Sequence, residues 1–272
     1  MSLNSKIYNN FRIGLNDILE AIKRRRIFIV FASQEIKSKY SRSILGAFWI
    51  TLSTLISISL LGIVFGFMMT DRFDSYFPHL ALGIILWTFV ESLTTDLTSS
   101  FYNNKSIILQ SNLPLSIHIF IVALRNLYVF LHNSVIIPII FIIFKISPNF
   151  LSCIFSLLSF LLMIIFIMSV GLIFATVANR YRDFPNIVNN LLRLLFFMTP
   201  VIWSSSLISN EKILFLLKFN PFFWFFDLIR SPLLTNVVSY SSFIFLLIIT
   251  ILIFVLALLF FGSYRKRIPY WL

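Results

Sequence analysis

The chain has 272 residues, 59% hydrophobic and 12% charged, with a mean hydropathy of +0.95; no water-soluble domain of this length needs so much apolar surface, so most of it is expected in lipid. Its net charge of +12 reads as basic residues gathered at span ends, where anionic head groups and the positive-inside bias hold them, rather than as a nucleic-acid surface. One cysteine, Cys153, excludes an intrachain disulfide.

Residues 1–43 are too charged to cross a membrane, and no apolar core with a small-residue cleavage site marks a signal peptide there. Ile7, Phe11, Leu15, Ile18 and Ile22 recur at steps of three and four, which predicts an amphipathic helix lying on the cytoplasmic membrane surface. Lys23, Arg24, Arg25, Arg26, Lys37, Lys39 and Arg42 follow, and then residues 44–70 carry no charge. About 20 apolar residues cross the ~30 Å hydrocarbon layer, so this is the first span. Further apolar runs at 79–101, 117–144, 151–177, 187–204 and 240–261 give six spans within a membrane domain covering 44–272.

Several spans hold polar groups. Glu91 and Asp96 lie in the second. His118, Arg125 and His132 are seven apart in the third, with Asn126 and Asn133 repeating the step; Asn186, Asn190 and Arg193 share a face around the fifth. Such faces should look at protein or water rather than lipid, and depth suggests that Glu91 pairs with Arg125 or Arg193. Between the last two spans, Glu211, Lys212, Lys218, Asp227 and Arg230 cut residues 207–234 into pieces too short to cross, and Asn220-Pro221 breaks a helix. Two short re-entrant helices at the outer face are expected. The predicted fold is therefore an all-α membrane protein: six transmembrane helices, an N-terminal amphipathic interface helix and a re-entrant pair before the last span. With both ends inside, fifteen Lys and Arg fall on the cytoplasmic side and five outside, with Arg125 and Arg193 within spans, as the positive-inside rule asks.

No G-x-x-x-x-G-K-[ST] phosphate loop, H-x-x-x-H spacing or G-x-S-x-G elbow occurs, so neither a catalytic residue, a metal site nor a cofactor bound by this chain is expected. An ion-driven transporter using His118, Arg125, His132, Glu91 and Asp96 as a relay would show a 3+3 internal repeat, and the two halves do not correspond. An enzyme acting on lipid-linked sugars would need a carboxylate or histidine cluster.

Four segments in order, YSRSILGAFW (40–49), NNKSIILQSNLPLS (103–116), NRYRDFPNIVNNLLRLLFFMTPVIW (179–203) and FNPFFWFFDLIRSPLL (219–234), resemble the permease subunit of polysaccharide ABC exporters of the O-antigen type, the type-2 ABC permease family. One departure is Ser53-Thr54, where members often have Asn-Pro. The resemblance implies a homodimer joined by two copies of a separate ATPase that carries ATP and Mg. It implies outer re-entrant helices closing the exit and a lipid-pyrophosphate-linked glycan crossing the bacterial inner membrane; teichoic-acid, capsule or lipid export stays within the same reading. A pyrophosphate needs cations, and Lys37, Lys39, Tyr40 and Arg42 are the head-group candidates. Aromatic faces cover sugar rings, so Phe196, Phe197, Trp203, Phe222, Phe223 and Trp224, with Arg125 and Arg193, are candidates to line the path. Ser106, Ile107, Ile108, Leu109, Arg180, Arg182 and Asp183, on the short inner loops, are candidates to hold the ATPase.

Overall fold

The computed structural model describes residues 3–41, 46, 48–68, 73–204 and 210–272, and among these it forms helices and no strand. Among the described residues, five segments are long and apolar enough to cross a membrane: Phe48–Phe65, Phe73–Thr98, Ser116–Ile143, Phe150–Arg180 and Tyr240–Tyr264. They are built from α3 (Phe48–Met68), α4 (Phe73–Thr98), α7 (Ser116–Ser134) with α8 (Ile136–Ile143), α9 (Phe150–Arg180) and α13 (Tyr240–Tyr264). The α7–α8 break at Val135 has a cause in Pro138, which has no N–H for the carbonyl of Ser134.

The expected fifth span at 187–204 is shorter than the sequence suggested. Its helix, α10 (Phe184–Met198), has 15 residues and reaches ~22 Å. Thr199 turns extended (φ −97°, ψ 138°) because the ring of Pro200 disfavours a helical predecessor. Two short helices follow as expected, α11 (Glu211–Leu217) and α12 (Pro221–Thr235). Asn220-Pro221 starts a helix as much as it breaks one. Asn220 Oδ1 accepts from the Phe222 N–H at 3.0 Å, and Pro221 fills the first turn, where its missing donor is harmless.

The end of the bundle formed by Thr98, Ser116, Arg180 and Tyr264 carries Lys105, Arg180, Arg182, Arg265, Lys266 and Arg267 and is called the basic end here. The remaining short helices also lie there: α5 (Ser100–Asn103), α6 (Lys105–Gln110) and α14 (Ile268–Trp271). The N-terminal segment is two helices, α1 (Leu3–Lys23) and α2 (Arg25–Tyr40). Helix α1 crosses α13 closely. A Cβ on Gly14 would lie 2.6 Å from the Leu258 oxygen, and one on Gly262 would lie 1.9 Å from the Asn10 oxygen; only glycine admits this approach, in the manner of small-residue helix contacts in membranes. Asn10 Nδ2 donates to Ser263 Oγ at 2.7 Å beside it. Helix α2 follows after a break at Arg24 (φ −89°, ψ 29°). It climbs along α7, stacking Phe28 on Phe120 at 5.4 Å and pairing Glu35 with Arg125, nine residues or ~14 Å into α7. Helix α3 then starts deep: Thr51 Oγ1 donates to the His132 carbonyl at 3.0 Å.

Helix α4 is the axis of the fold, with its middle almost wholly buried. Phenylalanine fills the space around it. Phe89, Phe130 and Phe160, from α4, α7 and α9, form a triangle with centroids 4.3–5.2 Å apart. Such ring pairs contribute ~0.5–1.5 kcal/mol each beyond area, which counts where lipid removes the usual hydrophobic drive between helices.

Candidate functional site

Thr88, Glu91, Ser92 and Thr95 are spaced three and four apart on α4 and share one face. It is the one stripe of this helix's middle that is not buried, and Glu91 on it is exposed. Helices α3 and α10 both pack against α4. Thr95 Oγ1 donates to Asn189 Oδ1 on α10 at 3.0 Å, and Trp87 meets Phe196 at 5.5 Å. Helix α10 turns Asn186, Asn190, Arg193 and Phe197 outward, the last 72% exposed. Glu91 lies seven residues before Thr98, ~10 Å from the basic end. An exposed carboxylate and guanidinium facing lipid cost up to ~2.5–3.5 kcal/mol each, the figure at the centre of a span, so this face suits water or another protein surface.

The expected pairing of Glu91 with Arg125 or Arg193 does not form. Arg125 Nη2 donates to Asp96 Oδ2 at 2.9 Å and Nη1 to Glu35, while Asn126 Nδ2 donates to the same Asp96 oxygen at 2.9 Å. Asp96, one turn nearer the basic end than Glu91, takes the partner, and Glu35 was missed because it lies 90 residues away in sequence. Arg125 is thus held in a junction of α2, α4 and α7. The two histidines of the third-span stripe do not join it. His118 is buried, and His132 is exposed with Nδ1 2.8 Å from the Tyr128 carbonyl.

Away from the basic end, α12 runs back through the bundle. Its first turn sets Phe222 against Trp87 and Phe166, 14 and 16 residues from the starts of their helices. Its end meets the start of α9, where Asn236 Oδ1 accepts from the Asn149 N–H at 2.8 Å. Phe222 and Phe223 are buried in the single chain; Trp224 and Trp203 are half-buried, with their indole N–H groups bonded to Lys218 and Phe197 carbonyls at 2.8 and 3.1 Å. Arg230, which sequence reasoning did not single out, is 3% exposed. Its Nη2 donates to the Pro200 carbonyl at 2.5 Å, and Nη1 sits 3.0 Å from His79 Nε2 and 3.3 Å from the His79 carbonyl. One guanidinium thereby ties α12 to α4 and to the turn that follows α10. Asn220 Nδ2 on Thr199 Oγ1 at 2.7 Å adds a second tie.

At the basic end, Asp17 is the residue that sequence reasoning missed. It is 2% exposed, accepts from the Ser116 N–H at 2.8 Å and hydroxyl at 2.6 Å, and pairs with Arg265. It caps α7 and links the first helix to the last. The docking candidates lie close by. On α6, Ser106 and Leu109 are exposed, Ile107 is half-buried and Ile108 is buried. Arg180 stands 5.5 Å from the centroids of both Tyr181 and Trp271; Arg182 and Asp183 are exposed. A cleft of about 290 Å³ between Tyr102, Asn103, Arg182 and Pro185 separates the two inner turns. Of the head-group candidates, Lys37 is exposed on α2; the side chains of Lys39 and Tyr40, and the whole of Arg42, lie outside the described residues. No group of His, Cys, Asp and Glu among the described residues could hold a metal ion.

Residues 26–234 match the ABC-2 type transporter family. The chain belongs to that family. It is a multi-pass membrane protein and a transport subunit of an ABC system. It is similar to two Klebsiella pneumoniae proteins named O-antigen export system permease protein RfbA, 26% identical over 72% of this chain and 75% of the relative, and 24% identical over 89% and 93%. A Myxococcus xanthus protein of the same name is 22% identical over 72% of this chain and 75% of its own length.

Proposed function

We propose that this ABC-2 chain is the membrane-spanning subunit of an ATP-driven exporter that moves a lipid-linked polysaccharide of the O-antigen kind across the bacterial inner membrane. The observation that carries the reading is the polar face of α4 and α10. A conduit for sugars needs hydroxyl, amide and charged groups at membrane depth, and a lone chain leaves them uncovered. A second copy set against α3 and α10 would enclose them, with α10 as a short sixth span and both chain ends cytoplasmic. The relatives' names and the basic asymmetry support the substrate class and the orientation.

In this reading the pyrophosphate meets Lys37, Lys39, Tyr40 and Arg42 as α2 gives way to α3, and Arg193 with Phe196, Phe197, Trp203 and Trp224 lines the route. Phe222 and Phe223 reach it only when α12 moves, and Arg125 supports the wall through Asp96. Helices α11 and α12 are the re-entrant closure at the outer face. Two copies of a separate ATPase, holding ATP and Mg, engage α6 and the turn at Arg180, Arg182 and Asp183. The test is reconstitution in liposomes with and without a partner ATPase while lipid-linked glycan is followed across the bilayer. Transfer should require both the ATPase and ATP. Uphill solute accumulation by the chain alone, driven by an ion gradient, would overturn the reading.

A further inference from the structure

Helix α1 does not seal against the bundle. Between it and α7, α9 and α13 a slot of about 390 Å³ remains. At the ~30 Å³ that each water takes up in the liquid, the same space holds a chain of about a dozen methylenes. The walls are apolar: Ile18 and Ile22 from α1, Ile119 and Phe120 from α7, Met168 from α9, Phe254 from α13. Ser116 and Ser169 also border it, but their hydroxyls are donated to Asp17 at 2.6 Å and to the Ile165 carbonyl at 2.7 Å. No polar atom there asks for water, and apolar cavities stay dry. Ile22 and Ile165 are exposed, so the slot opens sideways into hydrocarbon. On α9 it runs from Leu172 to Ile165, ~12–22 Å from Arg180 by helix rise. That is acyl-chain depth.

The mouth is cationic. Lys23, Arg24, Arg25 and Arg26 follow Ile22 directly and are all exposed. Arg24 Nη1 donates to the Asn112 carbonyl at 3.4 Å, and none of the four has an ion-pair partner among the described residues. The carboxylates on α1 are Glu20, exposed one turn earlier, and Asp17, committed to Arg265. We propose that this slot binds one anionic phospholipid of the leaflet at the basic end, its tail beneath α1 and its phosphate among Lys23, Arg25 and Arg26, as a wedge that seats the N-terminal helix. The proposal requires only that the chain be a membrane protein, and stands whatever is exported.

Native mass spectrometry of the purified chain, delipidated and then titrated with phosphatidylglycerol or phosphatidylcholine, tests it. The unaltered chain should bind about one phosphatidylglycerol, preferred at least ~fivefold over phosphatidylcholine, the size expected of even one basic residue near a head group. Ser169→Phe, which fills the slot, should abolish binding of both. Lys23→Gln/Arg25→Gln/Arg26→Gln, at exposed positions without an ion-pair partner among the described residues, should keep a lipid but lose the preference. Equal binding of the two lipids by the unaltered chain, or unchanged selectivity in the triple variant, overturns the proposal even if Ser169→Phe fails to fold.

Discussion

Asp17 and Arg230 show how single charges organise this apolar molecule. Each is buried, and each is satisfied by groups from distant parts of the chain. Removing one partner of such a pair leaves the other uncompensated, which costs ~3–5 kcal/mol where burial is full. Arg265 is one-third exposed at its side chain, so Asp17→Ala should cost about 3 kcal/mol, the lower end of that range. Asp17→Asn, which still accepts from the Ser116 N–H, should cost less. Thermal unfolding in detergent checks the order: Ala lowest, Asn between, unaltered chain highest; equal midpoints for Asp17→Ala and the unaltered chain would remove Asp17 from its role. The sequence offered little warning of either residue. Asp17 sits off the apolar stripe of α1 and reads as solvated, and its partners are 99 and 248 residues away. Arg230 counts as one more outer charge until α12 folds back on His79. Glu91 misled for the opposite reason: depth along one helix was legible, but not the rotation that points it away from Arg125 and leaves Asp96 facing in.

At the level of helices, much was legible because crossing a membrane is a one-dimensional demand. Five of the six expected runs became long apolar helices, and the two short helices before the last span formed where charge had cut the run. The stop of α10 was also written in Thr199-Pro200, although apolarity continuing through Val201, Ile202 and Trp203 hid it. The climb of α2 was not legible, since its guide is the Phe120 and Arg125 face of a helix far along the chain. Helix α6 yields a prediction. Ser106→Ala/Ile107→Ala/Leu109→Ala alters its outward side and spares buried Ile108, so the fold should hold while a co-expressed partner ATPase falls at least ~tenfold in co-purification, an interfacial loss of only ~1.4 kcal/mol. Stoichiometric recovery would exclude α6 from the contact.

For the whole molecule, the polar face between α3 and α10 sets the arrangement of copies. In a Cys153→Ser background, Asn190→Cys on α10 should form disulfide-linked pairs on oxidation in native membranes, whereas Ile244→Cys, exposed on α13, should stay largely monomeric. The reverse pattern would move the contact to the other side of the bundle.

The Asp17–Arg265 link also bears on how the chain is made. Its two members are 248 residues apart, and translation adds ~5–20 residues per second, so the ribosome needs roughly 12–50 s to deliver the second after the first. Throughout that interval the carboxylate lacks Arg265 and Gly14 has no Gly262 helix to cross. The seat of the first helix against the last is therefore completed only when the final span has been made.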